Sequence, residues 1–409
     1  MRTPSRQTVG VRVDFLQFSP PTLFDEELSE VLDTLRSDWI TTGPKTKRFE
    51  DEFAEYVHSP AALAVSSCTD ALQVALAALG IGPGDAVFTT TMTFCSTVHV
   101  VEHLGATPVL VDIDASTLNL SPDRLAEAID RTLSEGRLLP KAVIPVHYGG
   151  HPCDMTSIDA LAARHGLAVV EDAAHALPAS VGDRMIGDPT APDDIKRAVA
   201  FSFYATKNLT TAEGGMLTGT QDFIDEARLW SLHGMSRDAW KRYGQGGSWF
   251  YEVIRPGFKC NMTDIQASLG LHQLERLAEL QDRRRVVVEI YQEGFADLDS
   301  IQLPTELPGY RSAWHLYPIR LHLDRLTIDR SAFIDELGRH NIGTSVHFIP
   351  VHTHPYYRDR YGYEPTDFPV AWAEFQRLIS LPLNPRMKPD DARDVVDAVR
   401  EIARANSAD

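Results

Sequence analysis

Short apolar, β-prone runs recur along the first 220 residues, with amphipathic stretches between them. The runs are AALAVSS (61–67), AVFTT (86–90), TPVLVDI (107–113), KAVIPVHY (141–148), LAVVEDA (167–173), AVAFSFY (198–204) and GMLTGT (215–220). Between the first five, apolar residues return at helical spacing over Asp70–Leu79, Ser96–Leu104, Pro122–Leu133 and Met155–His165. Near-continuous apolar strands are covered on both faces, and strands separated by helices pair in parallel. The pattern predicts an α/β domain around a mixed, mostly parallel, seven-stranded sheet. Only the last two runs are joined by a short turn, which allows one antiparallel strand.

The character changes after Asn261. MTDIQASLGLHQLERLAELQDRRRVVVEIYQEGF predicts one long helix, with Ile265, Leu269, Leu274 and Leu277 near helical spacing. A Pro/Gly-rich stretch (Leu303–Gly309) leads on to strand-like WHLYPIRL, helix-like SAFIDELGRHN and strand-like GTSVHFI. Two domains are expected: 1–262 with the sheet, and 263–409 with the long helix and a smaller α+β unit.

Composition leaves this picture unchanged. With 409 residues, 43% hydrophobic and 23% charged, the chain has the make-up of a globular protein. A net charge of −18 lacks the basic excess that nucleic acid or an anionic membrane attracts, so neither is expected as a partner. Apolar runs fall short of the roughly 18 residues of a membrane helix, and the opening MRTPSRQTVGVRVDF has no apolar h-region. Cys68, Cys95, Cys153 and Cys260 form no Cys-x-x-Cys pair, so reduced thiols in a cytoplasmic protein are expected.

Three strand ends carry candidate chemistry. In VSSCTDALQVALAALG a strand passes into a helix through Ser66, Ser67, Cys68 and Thr69. Small hydroxyl residues cap a helix there, and the same terminus offers N–H groups and a favourable dipole to a phosphate. In LAVVEDAAHALPAS, Glu171 and Asp172 end a buried strand, at the edge where open α/β sheets bind ligands. A carboxylate so placed needs a partner: a salt bridge, a capped turn, or a cationic ring nitrogen of a ligand. His175 follows within reach of the same ligand. In AVAFSFYATKNLTTAEGG, Lys207 stands at the lip of one of the most apolar strands, five residues after Ser202. Such a lysine is either a surface loop residue or, if desolvated, an amine nucleophile.

Two other patterns lead nowhere. GIGPGD (Gly80–Asp85) follows a helix instead of a strand and marks a turn, not a dinucleotide loop. His347, His352 and His354, and likewise His147, His151 and Cys153, match no zinc spacing, so no metal is expected. A phosphate cradle, a buried acid and a lysine, all at carboxyl edges of one sheet, suit a phosphorylated pyridine aldehyde. That cofactor is pyridoxal 5′-phosphate (PLP).

In this order, the motifs resemble the DegT-type (DegT/StrS) nucleotide-sugar aminotransferases, from about Phe18 to near the C-terminus. The likeness is carried by SDWITTGPKTKRFEDEFAEY, AVSSCTDALQVALAALGIGPGD, PVHYGGHPCDM, VVEDAAHALPA, FSFYATKNLTTAEGG and MTDIQASLGLHQL. It implies the aspartate aminotransferase-like architecture, fold type I of the PLP-dependent transferases. EDAAH, AEGG, PGFKCNMTDI, SAWHLYPIRL and GTSVHFIPVHTHPYYRDRY resemble the branch that forms UDP-4-amino-4-deoxy-L-arabinose from a 4-keto-pentose.

The resemblance implies Lys207 as the catalytic lysine, Asp172 on the pyridinium nitrogen, and His175 near the phenolic oxygen. It implies Phe94 stacked on the cofactor ring, and Thr69 on the phosphate with the amides of Cys68 and Asp70 and with Ser202. Asn261 of the partner subunit is implied to reach the phosphate, with Lys259 nearby, which makes the protein a homodimer with shared sites. His347 corresponds to a histidine near the sugar. Cys68 and Cys260 depart from the commoner residues, and GFKCN replaces the family's Gly-Tyr-Asn-Tyr-Arg.

The implied reaction moves an amino group from L-glutamate to a nucleotide-linked (UDP or dTDP) 4-keto sugar, a 4-keto-pentose, giving a 4-amino-4-deoxy sugar nucleotide. A 4-keto-6-deoxyhexose or a 3-keto sugar is the nearest alternative substrate. A sugar dehydratase of the same fold would carry histidine in place of Lys207. A non-enzymatic PLP-binding regulator would need a DNA-binding module, and no basic recognition helix is visible in the sequence.

Overall fold

Thirteen strands form three sheets in the computed structural model, which describes residues 12–192, 195–236 and 250–408. The expectation drawn from residues 1–11 lies outside them. The strands are β1 (Ala61–Val65), β2 (Asp85–Thr90), β3 (Thr107–Val111), β4 (Leu139–Ile144), β5 (Ala168–Asp172), β6 (Ser180–Val181), β7 (Arg184–Met185), β8 (Arg197–Ser202), β9 (Gly215–Gly219), β10 (Ile301–Gln302), β11 (Tyr310–Arg311), β12 (Tyr317–Leu321) and β13 (Leu378–Leu381). All seven runs predicted from the sequence fall in one sheet, ordered β1-β9-β8-β5-β4-β2-β3. From β3 to β8 the pairings are parallel, and β9 lies antiparallel between β8 and β1. The chain thus has the aspartate aminotransferase-like, fold type I architecture.

Alternation along the strands divides the core between the two faces. Leu63, Val170, Ala200 and Leu217 pack with Leu72 and Leu76 of a helix at Cys68–Ala78. Val199, Phe201 and Met216 face the other way, onto Phe49 and Phe53 of the helix Pro44–Tyr56. Both strand faces are therefore dry, which is why their sequences are almost unbroken apolar runs.

Two expectations need correction. The single long helix after Asn261 is two helices, Asp264–Glu275 and Leu277–Phe295, separated at Arg276 with φ/ψ of −103°/9°. They serve different cores. Ala267, Leu271 and Leu274 pack against Phe49 and Phe53, whereas Val287, Tyr291 and Phe295 join the core around β12 and β13. One straight helix does not present both apolar faces in the required directions. GTSVHFI is not a strand either: Ser345 makes a lone bridge to Ser380, and Val346, His347 and Phe348 line a cavity instead.

The smaller sheet, β10-β12-β13, is covered by Leu277–Phe295, Arg330–Arg339 and Pro389–Ala405. No helix of the described residues is long and apolar enough to cross a membrane.

Candidate active site

A cavity of about 510 Å³ opens at the carboxyl ends of β1, β5 and β8. This is the edge where open α/β sheets place their ligands. β1 leads to Ser67, Cys68 and Thr69; β5 ends at Asp172 and leads on to His175; β8 ends at Ser202 and feeds the loop bearing Lys207. The turn before the helix Ser96–His103 adds Thr93 and Phe94, and the C-terminal part of the chain adds His315, His347 and Phe348. Phe18 closes one side. Its segment is pinned by Leu16 bonded to Asn341 and Gly343, and by Ser19 Oγ donating to the Thr206 carbonyl (3.1 Å).

The two carboxylates ending β5 have opposite fates. Glu171 turns into the core, with His147 Nε2 at 2.9 Å, Arg184 Nη2 at 3.1 Å and Arg197 Nη1 at 3.3 Å. Burial alone would raise its carboxyl, but these three partners hold it down at about 2. Asp172 faces the cavity. Its Oδ2 accepts from Thr97 Oγ1 (2.8 Å) and its Oδ1 from the Ala174 N–H (3.1 Å). Burial pushes this carboxyl above the ordinary range, and Thr97, Ala174 and Lys207 oppose the push. Its backbone is locked as well: Asp172 N–H donates to the Pro145 carbonyl (2.8 Å) and His147 N–H to the Asp172 carbonyl (3.1 Å).

Lys207 sits in the tight connection from β8 to β9. The loop is closed by Phe203 N–H donating to Gly214 O and Thr211 N–H to Phe203 O, each at 2.9 Å. The next residue, Asn208, is an anchor: its Nδ2 donates to the carbonyls of Leu177 (2.9 Å) and Ala313 (2.8 Å). That leaves Asn208 Oδ1 to face His315 Nδ1 (3.2 Å), which must carry the proton. Burial lowers the Lys207 amine to about 8.

Three imidazoles around the same space are neutral. Burial, then the lysine charge, drives His347 down to about 4. Burial also holds His175 and His315 well below the ordinary histidine range, with Lys207 adding to it in both. His175 Nδ1 accepts from the Gly149 N–H (3.3 Å), so its proton is on Nε2. His347 stacks on Phe18 at 5.5 Å and meets Ser380 Oγ at 2.9 Å.

At the opposite wall Ser67 caps the helix Cys68–Ala78 by accepting from the Asp70 N–H (3.0 Å). Capping and ligand binding therefore coexist here. Ser67 serves the helix, and the first-turn N–H groups of Cys68 and Thr69 are not used by helical bonding. Gly215 is needed for this packing, because a Cβ there would lie 2.5–2.7 Å from the Ser67 carbonyl group and the Cys68 nitrogen. Helix N–H groups with Ser202 and Thr206 suit a phosphate, and Asp172 suits a protonated ring nitrogen. Lys207 supplies the amine, so the donor set fits PLP.

Of the residues singled out in the sequence, Cys68, Thr69, Phe94, Asp172, His175, Ser202, Lys207 and His347 line this one cavity. Asp70 does not: its amide is held by Ser67, and its carboxylate accepts from the Ser66 and Ser67 hydroxyls. Lys259 and Asn261 bond to each other outside the cavity, and Asn261 also donates to Thr42 Oγ1. Sequence reasoning passed over Thr97, Asn208, His315 and Phe18. The Lys-Asn pair in FSFYATKNLTT was a usable signal for Asn208, since a polar residue directly after so apolar a strand and its lysine is buried and must itself be bonded.

The sequence matches the DegT/DnrJ/EryC1/StrS aminotransferase family over residues 21–400. The spore coat polysaccharide biosynthesis protein SpsC of Bacillus subtilis is 50% identical over 399 residues, spanning 97% of this chain and 99% of SpsC. Spr1654 of Streptococcus pneumoniae, solved in PMP and PLP forms, is 34% identical. Its PMP form has a TM-score of 0.87, covering 95% of this chain and 99% of that one. PseC of Helicobacter pylori, an aminotransferase involved in the biosynthesis of pseudoaminic acid, has a TM-score of 0.85 at 26% identity, covering 96% and 100% of the two chains. The chain belongs to the DegT/DnrJ/EryC1/StrS aminotransferase family and is a PLP-dependent sugar aminotransferase.

Proposed function

We propose that this enzyme takes its amino group from L-glutamate and delivers it to C4 of a nucleotide-linked 4-keto-pentose. Bound PLP supplies an electron sink for negative charge on the carbon that loses a proton. The protein's part is acid–base work and positioning. Lys207 Nζ, brought to about 8 by burial, is a base within reach of neutrality and moves the proton at the donor's α-carbon. Asp172 holds the ring nitrogen, His175 Nε2–H donates to the phenolic oxygen, and Phe94 stacks on the ring. Cys68, Thr69 and Ser202 take the phosphate.

The observation that carries this reading is Lys207 and Asp172 in one cavity: burial brings the Lys207 amine toward its neutral form, while Thr97, Ala174 and Lys207 oppose the rise that burial imposes on the Asp172 carboxyl. His347 is assigned to the sugar, which its stacking on Phe18 at the cavity wall supports. A homodimer is part of the proposal, with Asn261 of the partner subunit completing the phosphate shell and Lys259 beside it. The helix Asp25–Arg36 supports it, since Leu28, Leu32 and Leu35 are each at least 50% exposed along one face. The four free cysteines support a cytoplasmic setting. The kinship with SpsC supports a surface polysaccharide as the destination.

The test is 2-oxoglutarate release from L-glutamate with three acceptors: UDP-4-keto-pentose, dTDP-4-keto-6-deoxyhexose and a 3-keto sugar nucleotide. Turnover with the pentose at the highest kcat/KM is expected. A preference of tenfold or more (~1.4 kcal/mol) for another acceptor would overturn the substrate assignment, and no 2-oxoglutarate with any acceptor would overturn the donor.

A further inference from the structure

Thr97 is buried in the first turn of the helix Ser96–His103, three residues after Phe94, whose carbonyl accepts its N–H at 3.2 Å. Its hydroxyl lies 2.8 Å from Asp172 Oδ2 and 2.9 Å from Thr93 Oγ1. We propose that the Thr93–Thr97 hydroxyl pair is a positioning device for Asp172. It fixes the rotamer in which the carboxylate meets the cofactor's ring nitrogen, and it favours the ionised form. The inference rests on the assignment of Asp172 to that nitrogen.

Proton counting gives the pair a direction. A carboxylate only accepts, so Thr97 donates its single hydroxyl proton to Asp172 Oδ2. The Thr93–Thr97 contact must then be one in which Thr93 donates. The order is Thr93 to Thr97 to Asp172, and each added donor polarises the next. Both hydroxyls are no more than 2% exposed, so water does not replace either. The other oxygen, Oδ1, accepts the Ala174 N–H, and the Cys68 thiol at 3.9 Å is a weak neighbour. Besides Cys68, the titratable groups that interact with Asp172 include Lys207 from the β8–β9 loop, His147 after β4, and the buried Cys153 thiol. Phe94 and Thr97 share one turn, so the ring proposed to stack on the cofactor and the donor that orients its counter-charge move together.

The sign of the effect follows from which form is bonded. Thr97 donates to the charged carboxylate, so removing its hydroxyl raises the Asp172 pKa. A larger fraction of Asp172 is then protonated as pH falls, and a protonated carboxyl no longer pairs with a protonated ring nitrogen. A purely structural role for Thr97 would instead weaken binding equally at every pH.

The probe is pyridoxamine 5′-phosphate, which has no aldehyde to condense with Lys207. Its affinity for the apoprotein is measured by calorimetry from pH 6 to 8.5 for wild type, Thr97→Val, Thr97→Ser, Asp172→Asn and the Val/Asn double variant. Thr97→Val should bind about tenfold more weakly or worse at pH 6, with a smaller loss at pH 8.5. Thr97→Ser should stay within about threefold of wild type, and Thr97→Val should add nothing on the Asp172→Asn background. Wild-type affinity in Thr97→Val overturns the inference, and so does a loss independent of pH or a full additional loss on the Asn background. If Thr97→Val does not fold, Thr93→Val, which removes only the outer donor, is judged by the same pH trend. Wild-type binding by Asp172→Asn would sink the assignment of Asp172 itself. Weak binding by Asp172→Asn beside normal binding by Thr97→Val would sink only the role of the threonines.

Discussion

Replacing Lys207 with methionine should stabilise the apoprotein at neutral pH, and the gain should fade as pH approaches 10.5. The amine titrates near 10.5 when exposed and at about 8 in the fold, with burial as the leading cause. Between those values the unfolded chain binds more proton than the folded one, so wild-type stability rises with pH across that window. Below pH 8 the full penalty is present. The interval corresponds to about 3 kcal/mol at ~1.4 kcal/mol per pH unit. The side chain is only half-buried and opens onto the cavity, so water offsets part of this and ~1–3 kcal/mol is expected. Methionine keeps the length and the apolar stem without the charge. Losing the Lys207 charge also removes an attraction that Asp172 enjoys, which works against the gain and favours the lower end of the range. The assay is urea unfolding of the cofactor-free proteins at pH 7, 8, 9 and 10, at one protein concentration. A methionine variant less stable than wild type at pH 7, or a difference unchanged with pH, would refute the reasoning. The penalty has a use: at pH 7.5 about a quarter of the lysines are neutral, against about one in a thousand for an exposed side chain.

Two further predictions concern the scaffold. Glu171→Gln should lower stability at pH 7 by ~3–5 kcal/mol, because Arg197 and Arg184 lose their shared carboxylate. Glu171 is held at about 2 in the fold against an ordinary 4.5, so its contribution is present above pH 4.5 and lost as pH falls toward 2. The deficit of the variant should shrink in acid, and a deficit that grows there would contradict the network. Asp264→Ala should cost about 2–4 kcal/mol in urea unfolding. Its carboxylate accepts from the N–H groups of Gly43 (2.8 Å), Lys45 (3.1 Å) and Thr46 (2.8 Å) and from the Thr46 hydroxyl (2.7 Å). A loss under 1 kcal/mol would show that water satisfies those donors.

The sheet was legible because its signal is local. Each strand is a run whose apolarity reflects two covered faces, and the helices between them carry their own periodicity. The break at Arg276 was not legible, since Leu274 and Leu277 keep helical spacing through it. What bends the chain there is that Leu274 belongs to the core with Phe49, and Tyr291 to the core with Tyr317. The strand expected at GTSVHFI failed for a related reason. Alternating β-prone residues describe a surface with two faces, and these side chains serve a cavity wall shared with the ends of β1, β5 and β8. For the site, Lys207, Asp172 and His175 were readable from strand ends alone. Thr97 and His315 were not, because a buried threonine or histidine within an ordinary amphipathic stretch shows no partner until the chain is folded.

Glu171 and Asp172 show how far neighbours in sequence diverge in role. Both end the same buried strand, and the sequence left salt bridge, cap and ligand contact open for them. Successive strand side chains point to opposite faces, so one must meet the core and the other the open edge. Arg197 begins β8, and β8 lies beside β5 with Val169 opposite Arg197. That register sets a guanidinium beside Glu171, and Arg184 and His147 complete its partners from the other sides. Glu171 is thereby held ionised by fixed cations and has no freedom to titrate near neutrality. Asp172 has no arginine; its strongest local support is a hydroxyl and one amide. A carboxylate saturated by arginines would have little attraction left for a ring nitrogen, whereas one hydrogen-bonded by neutral donors, with Lys207 adding a weaker attraction, has more to offer. The strand therefore separates an anion fixed in the core from one facing the cavity within a single peptide bond, and on the proposed assignment the neutral partners of Asp172 belong to the site along with Asp172.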